Sequence, residues 1–154
     1  KERLEEFQDH LMLFFTGFSR IASEVAKSKI DNIKSRTAEL QLMKEMTHEA
    51  ITTLQSSAPI EEIGRMLDQN WKYKRSLSDK VSTPEIDHIY ETAKKAGAIG
   101  GKLLGAGGGG FMVFFAKPGV QGKVKEALRH LIHVPFRFEN SGSRVVLYQP
   151  NGLA

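Results

Sequence analysis

Half of the residues from 97 to 112, GAIGGKLLGAGGGGFM, are glycine, in a chain of 154 residues with 14 glycines altogether. Glycine loses more backbone freedom on folding than any other residue, so such a cluster in an ordered domain has a task. One task is anion binding: four consecutive glycines, Gly107 to Gly110, can turn N–H groups toward phosphate oxygens. Another is close approach, in which a second backbone lies where a Cβ would hold it off. Lys102 precedes the loop and could meet phosphate oxygens or end a strand in solvent; Arg20, after Thr16-Gly17, is a further cation of that kind. Lys74 stands in an unusual place. At about 100° per residue, Ile63, Leu67, Trp71, Leu77 and Val81 share one helix face. Asn70, Lys74 and Ser78 fall inside that stripe, with Lys74 near its centre, whereas Lys72 points to the solvent side. A lysine in the middle of an apolar face must snorkel, pair with an acid or reach an anion.

The glycines alone fit no standard phosphate loop. A dinucleotide fingerprint, GxGxxG, can be drawn through Gly105, Gly107 and Gly110, but its mechanism needs a helix after the loop. Here Phe111-Met112-Val113-Phe114-Phe115 follows, which reads as a strand. A Walker loop needs Ser or Thr after Gly-Lys, yet Leu103 follows Gly101-Lys102, and Ala96 stands where its first glycine belongs. A flexible linker would have polar flanks, not Leu103-Leu104 and FMVFF. What remains is a strand-loop-strand connection packed against something else.

The elements that position these residues follow from hydrophobic period and punctuation. HLMLFFTG (His10 to Gly17) reads as a buried strand, and FMVFFA (Phe111 to Ala116) as a second. Charged Lys1 to Glu6 opens the chain in helical style. Helices are expected over Ile21 to Ile33, Thr37 to Gln55 and Ile60 to Val81, with Ser56 to Pro59 breaking the last two. Ser82-Thr83-Pro84-Glu85 looks like a helix start, capped by Thr83 or Ser82, for a helix presenting Ile86, Ile89, Tyr90 and Ala93. Lys117-Pro118-Gly119 ends the second strand, and Val120, Val124, Ala127, Leu128 and Leu131 mark another helix. Val134 to Glu139 and Arg144 to Gln149 are expected as strands around a turn at Asn140 to Ser143. This order is α+β, not a regular βαβ alternation.

Composition narrows the classes. Apolar residues make up 40% and charged residues 26%, which suits one globular domain. The longest apolar run, Leu11 to Phe15, is far short of the roughly 20 residues a membrane span needs. No signal-like segment opens the chain. Without cysteine there are no disulfides or thiolate metal sites, and the cytoplasm is the default location. A net charge of +4, spread along the chain, argues for an anionic small molecule at least as well as for nucleic acid. Among five histidines only His130 and His133 are spaced i, i+3, with no carboxylate beside them, so no metal is expected. Phe111, Phe114 and Phe115 read as core, since nothing basic alternates with them for base stacking.

GGKLLGAGGGGFMVFF resembles the third, C-terminal glycine-rich motif of the GHMP kinases, the galacto-, homoserine, mevalonate and phosphomevalonate kinases. The likeness extends upstream through Trp71, Lys74-Arg75-Ser76-Leu77-Ser78, Val81-Ser82, Pro84-Glu85-Ile86-Asp87 and Ala96-Gly97-Ala98. That longer pattern, and Phe15-Thr16-Gly17-Phe18-Ser19-Arg20, are similar to the family's D-glycero-D-manno-heptose 7-phosphate kinase branch. The resemblance implies a ferredoxin-like antiparallel sheet packed by helices, spanning residues 1–154. It also implies an intact enzyme that uses ATP and Mg²⁺ to phosphorylate the C1 hydroxyl of a heptose 7-phosphate. A galactokinase- or fucokinase-like sugar kinase and a non-catalytic small-molecule-binding module are the rival expectations.

The family's principal ATP-phosphate loop, a Pro-x-x-x-Gly-Leu-Gly-Ser-Ser-Ala segment, has no match here, and Gln55-Ser56-Ser57-Ala58 lacks its glycines. That loop and the catalytic aspartate belong to an N-terminal domain in the family. The chain, which opens without Met, is therefore expected to be a C-terminal domain that is inactive alone. On the same resemblance, Gly105, Ala106, Gly107, Gly108, Gly109 and Gly110 border the ATP site and support the other domain's loop. Lys74, with Arg75 and Ser78, would hold the sugar phosphate, and Lys102 is a further substrate contact.

Overall fold

Leu11–Phe15 is a run of large apolar side chains without glycine or proline, and it forms the central strand β1 of a four-stranded antiparallel sheet. The computed structural model describes residues 2–18, 22–143 and 145. Along β1 the even positions are buried, Met12 and Phe14 at 1% exposure each, while Leu11, Leu13 and Phe15 are half-buried. This alternation is what the two-residue period of a pleated strand requires.

The sheet order is β2-β3-β1-β4, with β2 at Gly100–Leu103, β3 at Phe111–Phe115 and β4 at Ile132–His133. Every neighbouring pair is antiparallel, Leu11 opposing Phe115 and Leu103 opposing Met112. This is the ferredoxin-like strand order, with its first crossover expanded into four helices. Those helices are α2 (Ala22–Asp31), α3 (Thr37–Gln55), α4 (Glu61–Ser76) and α5 (Pro84–Lys95). A short α1 (Glu2–Asp9) precedes β1, and α6 (Gln121–Ala127) links β3 to β4.

Two apolar clusters hold these layers together. The larger joins Met12, Phe14, Leu103, Met112 and Phe114 of the sheet to Trp71, Val81, Ile86, Ile89, Tyr90, Val124 and Leu128. The smaller surrounds Phe115 with Ile60 and Ile63, and with Phe7, Leu54 and Met66 at its edge. Helix α5 starts where its residues direct: the Thr83 hydroxyl accepts the Ile86 N–H at 3.3 Å, and Pro84 occupies the first turn.

Helix α4 lies directly on β2. A Cβ on Gly100 would fall 2.0 Å from the Gly64 carbonyl oxygen, and one on Gly64 would fall 2.7 Å from the Phe115 ring. Glycine on both surfaces lets the helix backbone touch the strand, and this contact fixes how α4 presents Lys74 to the residues after β2.

Several sequence expectations differ in extent. The helix expected over Ile60 to Val81 stops at Ser76, and Leu77, Ser78 and Val81 follow in turns, though Leu77 and Val81 remain core residues. The first long helix ends at Asp31, and Ile33 falls in a 3-10 turn with its side chain 46% exposed. Val134 to Glu139 is not a strand. Pairing begins earlier, at Ile132–His133, and continues only through the Val134 N–H to the Leu13 carbonyl at 2.8 Å. Pro135 has no N–H to carry the ladder on. Of the second expected strand, Arg144 and residues 146–149 lie outside the described residues, and Val145 belongs to no strand.

Candidate functional site

Residues 104–110 join β2 to β3, and their path is set by what lies against them. Gly107 has φ +125°, and a Cβ there would meet the Val81 Cα at 2.8 Å. At Gly109 a Cβ would fall 2.5 Å from the Phe18 carbonyl oxygen. Hydrogen bonds run through the same contacts. The Gly108 N–H donates to Val81 O and the Gly110 N–H to Phe18 O, both at 2.9 Å. The Gly110 carbonyl in turn accepts the Thr16 N–H and hydroxyl, each at 2.9 Å. The loop is thus anchored at its far end to the segments after β1 and α4, as close backbone approach predicts.

Its near end is held by lysines. Lys74, 8% exposed on the last turn of α4, donates from Nζ to the carbonyls of Leu103 at 2.7 Å and Gly105 at 2.8 Å. Lys29 of α2 donates to the Ala106 carbonyl at 2.8 Å. Lys102 donates to Asn70 Oδ1 at 2.7 Å, at one end of an apolar cavity of about 240 Å³ walled by Phe7, Met46, Leu54 and Met66. Among the described residues no carboxylate pairs with any of these three lysines. The N–H groups of Gly105, Ala106, Gly107 and Gly109 find no acceptor among the described residues either.

This arrangement is cationic and strained in charge. Burial, followed by the like charges of Lys102 and Lys29, pushes Lys74 down to about 8 from its ordinary 10.5. Burial also lowers Lys102. Bonds to carbonyl and amide oxygens solvate an ammonium without neutralising it, so net positive charge remains beside a loop with unspent N–H donors. Such a surface suits an anion.

The other sequence candidates have different partners. Arg75 pairs with Asp87 at 3.1 Å, and the Ser82 hydroxyl donates to the same carboxylate at 2.6 Å, so this group secures the start of α5. Ser78 shares a 2.6 Å hydrogen bond with Ser28 and accepts the Lys80 N–H at 3.1 Å. Lys74 is turned to the loop's carbonyls, a different task from gripping a sugar phosphate at an open wall. Lys102 is half-buried within the fold. Arg20 lies outside the described residues. Lys29 was not legible, because α2 carries no apolar face sharp enough to single out one of its lysines.

A family model described as "GHMP kinases C terminal" matches residues 50–133, more than half of the chain, including α4, the glycine loop and β3. The chain belongs to the GHMP kinase family. It is 31% identical over 126 residues to the D-glycero-alpha-D-manno-heptose 7-phosphate kinase of Campylobacter jejuni, covering 80% of this chain and 37% of that protein. With the L-fucokinase/L-fucose-1-P guanylyltransferase of Bacteroides fragilis it shares 27% identity over 115 residues, 73% of this chain and 12% of that one. Among solved structures, L. major mevalonate kinase in complex with R-mevalonate superposes with a TM-score of 0.68 at 20% identity, over 80% of this chain and 40% of that one. The fold is therefore that of GHMP kinases, and the chain spans little more than a third of the heptose-phosphate kinase it matches.

For the family's ATP, the loop donors and the lysines make a fitting surface for phosphate oxygens. For Mg²⁺, no group of three or more His, Asp or Glu among the described residues could hold a metal ion. No helix among the described residues is long and apolar enough to cross a membrane.

Proposed function

We propose that this chain is the C-terminal domain of an ATP-dependent sugar kinase that phosphorylates the C1 hydroxyl of D-glycero-D-manno-heptose 7-phosphate. It works there with an N-terminal domain that carries the main ATP-phosphate loop and the catalytic aspartate. The observation that supports this most is the group of Lys29, Lys74 and Lys102 around the glycine loop, without a carboxylate partner among the described residues. A site for ATP and a phosphorylated sugar gathers many negative charges, and phosphoryl transfer is achieved mainly by placing and neutralising them. The likeness to the Campylobacter jejuni heptose 7-phosphate kinase supports the same substrate.

In the reaction, the bond between the γ-phosphorus and the β,γ-bridging oxygen breaks, a bond from the C1 oxygen to that phosphorus forms, and ADP leaves. The C1 hydroxyl proton passes to the aspartate of the other domain. Mg²⁺ would be held by the nucleotide's own phosphates and the other domain, since no described group of this chain could hold it, and would supply neutralisation of phosphate charge. The part of this chain is to hold residues 105–110 against the phosphates and supply positive potential from the three lysines. Gly107 and Gly109 allow the loop to lie close to neighbouring backbone.

The likeness to the Bacteroides fragilis protein carries a second reading, an unphosphorylated sugar such as L-fucose as acceptor. Steady-state assays of the full-length protein with ATP separate the two. Turnover on heptose 7-phosphate, with none on heptose, L-fucose, galactose or mevalonate, is the expected result. Turnover on a free sugar and none on the phosphate would overturn the substrate. Turnover by residues 1–154 alone would overturn the division of labour.

A further inference from the structure

The trans peptide is planar, so the carbonyl of one residue and the N–H of the next point in opposite directions. At the glycine loop this geometry links two sets of groups already described. The Gly105 carbonyl, bound to Lys74, shares its plane with the Ala106 N–H; the Ala106 carbonyl, bound to Lys29, shares its plane with the Gly107 N–H. Both N–H groups are without an acceptor among the described residues. The Leu103 carbonyl, also bound to Lys74, shares its plane with the Leu104 N–H, which donates to Phe111 at 2.8 Å and completes the end of the β2–β3 ladder.

We propose that Lys74 and Lys29 are positioning residues that fix the peptide planes of the glycine loop, so that the Ala106 and Gly107 N–H groups face an anionic ligand. A glycine-rich backbone can rotate these planes at little steric expense, since its residues accept φ of either sign. Without the ammonium groups, the planes after Gly105 and Ala106 have no such restraint, and their carbonyls can turn toward the phosphate and repel it. The ammonium groups do two things at once. They hold the carbonyls away from the ligand, and by polarising each amide they strengthen the N–H on its opposite side. Lys74 is suited to this because α4 is pressed onto β2 through Gly64 and Gly100, which gives its side chain a fixed origin. The ligand is of the phosphate class.

This inference rests on the kinase reading, and the experiment separates their failures. Full-length wild type, Lys74→Met, Lys29→Met and a control, Lys72→Met, are compared by crystal structure and by kinetics with ATP and heptose 7-phosphate. Lys72 sits on the same helix but is 60% exposed and pairs with Asp68. In Lys74→Met the plane between Gly105 and Ala106 is expected to turn or lose a single orientation, with kcat/KM falling about 100-fold as donors are misplaced. Lys29→Met is expected to free only the plane between Ala106 and Gly107, with a smaller loss. The wild type should lose kcat/KM as pH rises through about 8, and Lys74→Met should lack that limb. Unchanged planes and an unchanged pH profile in Lys74→Met would overturn the inference. If Lys74→Met does not fold, Lys29→Met decides it in the same way on its own plane. A wild type that shows no transfer to the sugar phosphate, while the planes turn in the variants, would fault the kinase reading and leave the positioning role standing.

Discussion

Helix α4 carries two groups of charge less than two turns apart, and they are built in opposite ways. Around Asp68, Lys72 donates at 2.8 Å and Lys94 at 3.0 Å, and the Tyr90 hydroxyl also donates to this carboxylate. Burial alone would raise the Asp68 pKa, but these hydrogen bonds hold it down at about 2. Burial and the neighbouring carboxylate together push Tyr90 upward. Around Lys74 the cations meet only carbonyl and amide oxygens. The first group is closed on a shared carboxylate, and ties α4 to α5. The second leaves a positive charge and a row of N–H donors for something outside this chain. Lysine on a helix is therefore informative here through its partners, not its position.

The sharpest way to break the Asp68 side is steric. Gly100→Ala places a Cβ 2.0 Å from Gly64 O and 2.8 Å from the Asp68 N, both backbone atoms. A loss of about 3 kcal/mol or more is expected, read as a lower urea midpoint of the full-length protein. A loss under about 1 kcal/mol would mean that α4 does not press on β2 as described.

Asp68→Asn removes the one carboxylate that Lys72 and Lys94 share and should destabilise by about 1–3 kcal/mol. The sign of its pH effect is fixed. With a folded value near 2 against an ordinary 3.8, ionised Asp68 stabilises fully above about pH 4, and this is lost as pH falls toward 2. Acid unfolding curves should show this limb in the wild type and not in the variant.

On the Lys74 side the expected changes fall on binding, and they run the other way with pH. Lys74 titrates near 8 when folded and 10.5 when unfolded, so the unfolded chain binds more protons between these values. Stability should therefore rise modestly from pH 8 to 10.5 while ATP affinity falls, because the loop loses one positive charge. A joint rise or a joint fall would contradict the opposition between the two groups. Smallest of all, Lys72→Ala removes an exposed pair and should change stability by less than about 1 kcal/mol.

The sequence revealed this comparison unevenly. HLMLFFTG and FMVFFA announced β1 and β3 because large apolar side chains dominate them, and the third helix matched its expected span, Thr37–Gln55. Strand β2, GGKL, is expected only from the strand-loop-strand reading and not from its own residues: two glycines and a lysine have no strand propensity, and its role depends on α4 needing a surface without side chains. The C-terminal pairing was misplaced because the apolar alternation after Val134 outweighed Pro135, whose missing N–H stops the ladder. At the site, the glycine loop and Lys74's odd place on an apolar face were both visible. The partners of Lys74 were not, since backbone carbonyls leave no mark in a residue pattern.

Hydrogen exchange of the full-length protein, with and without ATP, Mg²⁺ and heptose 7-phosphate, tests most directly whether the Lys74 group, which has no carboxylate among the described residues, is the ligand side. The account predicts that ligand slows exchange of the amides from 103 to 111, whose donors at Gly105, Ala106, Gly107 and Gly109 have no acceptor among the described residues, and leaves the Asp68 region of α4 and α5 unchanged. Protection confined to other segments, with residues 103–111 exchanging as before, would contradict it.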